Sequence, residues 1–138
     1  MSGQMTSFMK NIFNPGDQKS FTRKVLASDC AIFNNELLHS VCSTFALARD
    51  FEWSSRLFFI EMKEDDEEGV GTMLSIEHRS PAFVGEEILF TASVEKIERN
   101  ELICSIEGKV GSRIIAIGKT GQKMLKKEKL RDLFKAQY

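Results

Sequence analysis

The sequence predicts an α+β domain in which an antiparallel sheet packs around one long central helix. Three observations predict it. The apolar run from Phe45 to Met62 carries Leu47, Phe51, Phe58 and Met62 at helical spacing. From Thr72 onward the hydrophobic period switches to two, and the later segments with that period are joined by turns short enough to force hairpins. With 138 residues and 42% hydrophobic content, the chain has material for one core.

Taken in order, residues 1–18 end in the turn signal Asn14-Pro15-Gly16-Asp17 and read as an arm outside the main fold; residues 19–138 read as a single domain. Phe21 to Leu26 forms a short strand. Ala27 to Val41 reads as irregular, broken at Asn34-Asn35. Ser43 or Thr44 is the N-cap of the long helix, which is apolar around much of its girth and so must be covered on most sides. The acidic run Glu64 to Glu68 is expected as an exposed loop. Thr72, Leu74, Ile76 and His78 then share one face of a strand, with Met73, Ser75 and Glu77 on the other. Glu86 to Arg99 places Ile88, Phe90, Ala92 and Val94 on one face. A turn at Arg99-Asn100-Glu101 leads to Leu102, Cys104 and Ile106, and another near Gly111-Ser112 leads to Arg113–Leu125, completing a meander. Lys126 to Tyr138 gives a short amphipathic helix with Leu130, Leu133 and Phe134 on one side.

Charge and cysteine content exclude several classes of function. Nineteen basic residues nearly cancel twenty acidic ones, so no overall field points to nucleic acid or a membrane surface. The basic stretch Lys123–Lys129 is a candidate for meeting ligand phosphates, set against plain solvation. Three cysteines without framework spacing fit a reducing compartment, and no apolar run is long enough to span a bilayer, so a cytoplasmic protein is expected. His39 and Cys42 have metal-compatible spacing, but no second pair completes four ligands; no metal site is expected, and Cys42 reads as a small buried residue.

Against this apolar background a few polar residues stand out: Thr44, Glu52, the pair Gly71-Thr72, and His78. Glu52 lies between Phe51 and Trp53 in the long helix, and an unpaired carboxylate in a packed core costs several kcal/mol, roughly, unless it is bonded or chemically employed.

In element order the chain is similar to the hotdog fold, one long helix wrapped by a curved sheet. From Val41 to Leu125 it resembles, without a gap, the fluoroacetyl-CoA thioesterase-like branch of hotdog proteins. Ser43-Thr44, Glu52-Trp53, Gly69-Val70-Gly71-Thr72, His78, Pro81, Gly85 and Gly118 carry the resemblance. Eight residues separate Thr44 from Glu52, nineteen separate Glu52 from Gly71, and seven separate Gly71 from His78.

The resemblance implies hydrolysis of a small acyl-CoA thioester, with Thr44, Glu52 and His78 in the catalytic positions. His78 is then a general base toward water or the partner of a nucleophile, Glu52 attacks the carbonyl or orients water, and Thr44 holds or activates one of them. Backbone N–H groups near Gly71 are candidates for the oxyanion, with Thr72 beside them. Leu38, Phe45 and Phe83 are expected acyl-pocket walls. No cofactor is implied beyond the coenzyme A of the substrate. The resemblance also implies a homodimer with sites at the subunit interface, a tetramer remaining open.

Helix geometry adds a constraint. Eight residues at about 1.5 Å rise put Thr44 and Glu52 roughly 12 Å apart on one helix. Either Thr44 lies in a loop that folds back, or two protomers combine.

Two departures from the family pattern stand against simple transfer. Gln122 occupies the place of an arginine in the last strand, and Ala27–Cys42, which helps form the lid over the acyl pocket, is shorter than usual. A second function therefore stays open, a non-catalytic module that binds acyl-CoA or another small hydrophobic ligand. Purely structural roles stay open too: Glu52 paired with Arg49 or Arg56, Thr44 as a cap, His78 bonded to a carbonyl, Gly71 at a bulge.

Overall fold

The computed structural model of the protein describes residues 9–33 and 36–135, with backbone alone for residues 32, 33 and 36–39. The strands are β1 (Gln18–Lys24), β2 (Cys30–Phe33), β3 (Glu36–Cys42), β4 (Glu67–His78), β5 (Glu87–Glu98), β6 (Glu101–Val110) and β7 (Arg113–Lys126); the helices are α1 (Thr44–Met62) and α2 (Lys127–Lys135). Five strands form one antiparallel sheet in the order β1-β5-β6-β7-β4. The meander β5-β6-β7 turns at Arg99-Asn100 and at Gly111-Ser112, where Arg99 (φ 56°) and Gly111 (φ 60°) take the left-handed conformation that tight turns demand.

The sheet curves around α1, which touches all five of its strands. Leu47, Phe51, Phe58 and Met62 are fully buried, as their spacing predicts, against Ile88, Phe90, Leu102, Ile115 and Met124. Phe51 meets Phe90 edge to face at 6.1 Å, and Phe21 stacks on Phe90 at 5.2 Å. In the middle of β4 the backbone approaches β7 so closely that a Cβ at Gly118 would lie 1.9 Å from the Ser75 carbonyl oxygen. Only glycine fits there.

Three expectations change. Ala27 to Val41 is not irregular: a 3-10 turn (Ala27–Asp29) precedes the β2-β3 hairpin. The break at Asn34-Asn35 lies outside the described residues. The hairpin is anchored by distant partners that a local pattern cannot show. Cys42 N donates to Ala82 O, Ser43 N to Asp29 O, and Val41 bridges Phe83.

The acidic run is not wholly an exposed loop. Glu67 is fully buried and opens β4. Its carboxylate accepts from the Met9 N–H (2.8 Å), the Glu64 N–H (2.7 Å) and Lys126 Nζ (3.3 Å), which satisfies the buried charge.

Those bonds also draw the segment expected as an arm onto the domain from Met9 onward. Met9 is buried, Lys10 N donates to Met62 O at 2.7 Å, and Phe13 packs edge to face on Phe58 at 5.0 Å.

Candidate functional site

The expected site residues fall into two clusters at opposite ends of β4. Thr44 is the first residue of α1, because Ser43 takes the capping role: its Oγ accepts from the Ala46 N–H at 3.0 Å. The Thr44 hydroxyl is thereby released from capping and lies 3.0 Å from His78 Nδ1. His78 is the last residue of β4. Beyond it the Arg79 and Ser80 N–H groups both turn to Ile115 O and end the strand. The other ring nitrogen of His78, Nε2, is buried and has no partner among the described residues. One nitrogen is oriented and the other is held in reserve, the layout of a positioned acid-base group.

Glu52 belongs to the second cluster, and it is exposed rather than set in a packed core. The apolar neighbours Phe51 and Leu57–Ile60 suggest burial on all sides, yet the sheet leaves one stripe of α1 uncovered. Arg49, Glu52, Arg56 and Ile60 follow one another on that stripe at intervals of three or four, with Trp53 beside Glu52. The expected pairing of Glu52 with Arg49 or Arg56 is not the one formed. Arg49 bonds to the buried Asp50 and Asp29, which hold its guanidinium pKa above the usual value, and Arg56 bonds to Glu68 and to Gly69 O. A Cβ at Gly71 would stand 3.5 Å from Glu52 Oε1, so carboxylate and strand backbone are neighbours.

Gln122 lies beneath this pair, buried, its amide N donating to Glu52 O (3.2 Å) and Ser55 Oγ (2.8 Å). It fixes the helix to β7, and its Oε1 is left buried without a partner among the described residues. Glu52, Gly71 and Gln122 line an open cavity of about 350 Å3 together with Trp53 and the arginines 23, 49 and 56. Arg23, and the Asp29 and Asp50 carboxylates that hold it and Arg49, were not foreseen from sequence. Asp29, Asp50 and Arg23 meet only through the tertiary fold, so no local spacing announces them.

The remaining expected residues are dispersed. Thr72 sits at the irregularity between Gly71 and Met73, its hydroxyl over Gly121 and not among the residues lining the Glu52 cavity. Phe45 (87% exposed) and Phe83 (50% exposed) lie at the Thr44–His78 end and enclose nothing within one protomer. Leu38 is in β3, with its side chain outside the described residues. Burial pushes the Cys42 thiol up to about 12, which removes it as a thiolate nucleophile. A trough of about 670 Å3 on the outer face of the sheet contains none of the expected residues.

Because Thr44 is helical, the folded-back loop is excluded. Thr44 and Glu52 are about 12 Å apart along α1, and Gly71 and His78 are about 20 Å apart along β4. Within one chain the Thr44–His78 pair and Glu52 therefore do not meet.

Residues 25–128 match the profile of the family described as FlK, fluoroacetyl-CoA-specific thioesterase. A search of curated protein sequences gives no significant match. Among solved structures, a thioesterase superfamily member from Thermus thermophilus superposes with a TM-score of 0.85 at 26% identity, over 91% of this chain and 93% of that one. A hot-dog-like protein from Thermanaerovibrio acidaminovorans gives 0.85 at 19% identity with the same coverage, and a mutant of the fluoroacetyl-CoA-specific thioesterase FlK gives 0.83 at 17% identity over 94% and 100% of the two chains. Variants of FlK in this group have been solved with acetyl-CoA, and with fluoroacetate and CoA.

Proposed function

The chain belongs to the fluoroacetyl-CoA-specific thioesterase family, and we propose that it hydrolyses a small acyl-CoA at a site completed by a second copy of itself. The Thr44–His78 pair carries this reading. When Nδ1 holds the ring proton and donates it to Thr44, Nε2, which has no partner among the described residues, is the acceptor that a general base needs. The Glu52 carboxylate supplies the attacking group or steers water, and backbone N–H groups near Gly71 receive the oxyanion. Water adds to the carbonyl carbon, its proton passes to the base, the C–S bond breaks, and the thiolate leaves with that proton. A thiol of ordinary pKa, about 8.5, leaves readily, so catalysis is concentrated on the attack.

β4 supports the reading of a second copy. It is an open edge twelve residues long, with Met73 40% and Leu74 39% exposed. Two such edges paired antiparallel about a two-fold axis between Leu74 and Ser75 set His78 of one copy opposite Gly71 of the other, and cover an edge that otherwise invites aggregation. Phe45, Phe83 and Leu38 then border the acyl group at the Thr44–His78 end. Three free cysteines suit a reducing cytoplasm, and no described helix is long and apolar enough to cross a membrane.

Thiol release measured across an acyl-CoA chain-length panel tests the proposal. A short acyl-CoA is cleaved, and Glu52→Ala or His78→Ala lowers turnover by about 10²- to 10⁴-fold. Undiminished turnover in both variants overturns the residue assignment. A second reading, a non-catalytic acyl-CoA-binding module, is favoured by Gln122, which brings no cation to the site and is committed to Ser55 and the helix backbone. Thermal stabilisation by acyl-CoA with no thiol released anywhere in the panel selects it.

A further inference from the structure

Next to the Glu52 cavity, and sharing Arg56 with it, lies a second cavity of about 330 Å3 whose lining includes Lys10, Arg56, Ile60, Lys63 and Asp65. Its charge is unequally met. Arg56 is bonded to Glu68, whereas neither Lys10 nor Lys63 forms an ion pair among the described residues. Asp65 is the single carboxylate of the lining.

Lys10 does not reach this place by chance of a loose terminus. Its N–H is bonded to Met62 O, the Met9 N–H before it is bonded to the buried Glu67 carboxylate, and Met9 itself is buried. A buried acid clamps the N-terminal segment and holds Lys10 beside Lys63 at the end of α1. Within the basic stretch Lys123–Lys129, Lys126 is engaged by Asp66 and Glu67.

We propose that Lys10 and Lys63, with Arg56 between them and Glu52, bind the phosphates of the coenzyme A; this rests on the acyl-CoA reading above. Length agrees. Lys63 follows Glu52 by eleven residues, about 16 Å along the helix axis. A pantetheine arm of about twelve bonds spans the length of about four extended residues, ~14 Å. A thioester carbonyl at Glu52 and Gly71 therefore sets the pyrophosphate at the lysines. Two mobile ammonium groups suit phosphates of variable pose, as point charges that need no fixed fork.

The test compares CoA with pantetheine, which shares the arm and lacks the phosphates. Binding of both is measured by calorimetry, and kcat/KM for the acetyl thioesters of both by thiol release, in wild type and in the double variant Lys10→Glu, Lys63→Glu. Both lysines lie at the surface or half-buried, and a melting curve together with Lys10→Gln, Lys63→Gln guards against a folding defect. The preference for CoA over pantetheine falls by about tenfold or more in the charge-reversed protein, less in the neutral one, and shrinks in wild type as salt is raised. A preference that is absent from wild type, or unchanged in the variant, overturns the proposal. A wild type that prefers CoA through these lysines yet hydrolyses neither thioester upholds the phosphate site and overturns the hydrolase reading instead.

Discussion

The C-terminal end of β4 and the region around Gly71 present unlike polar groups. At the C-terminal end His78 is held by Thr44 at 3.0 Å and keeps a buried Nε2 without a partner among the described residues. Around Gly71, Glu52 lies open to solvent above a Gln122 whose Oε1 is likewise buried without a partner among the described residues. Among the described residues, an imidazole bonded to a hydroxyl marks one region and a carboxylate beside strand backbone the other. Buried polar atoms without partners are rare in a finished fold. The described residues leave three, at His78, Thr120 and Gln122, all on β4 or on the β7 strand paired to it, and the difference between the two regions is what leads us to propose a second copy across that edge.

Mixing the two ends gives the largest expected effect. Glu52→Ala and His78→Ala proteins, each strongly impaired, are unfolded together and refolded as mixed dimers. If the site takes Glu52 from one copy and His78 from the other, each mixed dimer holds one intact site, and about a quarter of wild-type activity returns. Activity no higher than the parents' breaks the comparison, because both residues then act within one protomer. Next comes the middle of the strand, where Gly118 lets β4 lie against β7. Gly118→Ala forces Ser75 away, and stability in urea falls by about 3 kcal/mol; an unchanged midpoint shows that the contact yields. The smallest effect is at the helix start. Ser43→Ala removes the cap and costs about 1 kcal/mol, with turnover close to wild type if Thr44 stays with His78. A larger loss of turnover than of stability reveals that Thr44 has left His78 to become the cap.

Much of the fold was legible in the sequence because it rests on periodicity. Leu47, Phe51, Phe58 and Met62 announced the buried face of α1, and Ile88, Phe90, Ala92 and Val94 the inner face of β5, since a repeat of 3.6 or 2 commits side chains to one side whatever they pack against. Illegible parts depended on distant partners. Nothing near Glu67 tells that Met9 and Lys126 will satisfy it, so an acidic run looks solvated. The β2-β3 hairpin is fixed by Ala82, Asp29 and Phe83, far from it in sequence. Glu52 looked buried because hydrophobic neighbours in sequence surround it, although on a helix adjacent residues point about 100° apart.

By itself, then, the sequence determined the alternation and helical faces that build the sheet around α1, and a family resemblance resting on the spacings from Thr44 to His78. Only the tertiary structure decided that Ser43 caps the helix and frees Thr44 for His78, that Glu52 faces outward, and that the two groups lie at opposite ends of β4. The physical reason is range: propensity and periodicity act over a few residues, whereas a site is a meeting of groups set by which edges and faces the packed core leaves uncovered.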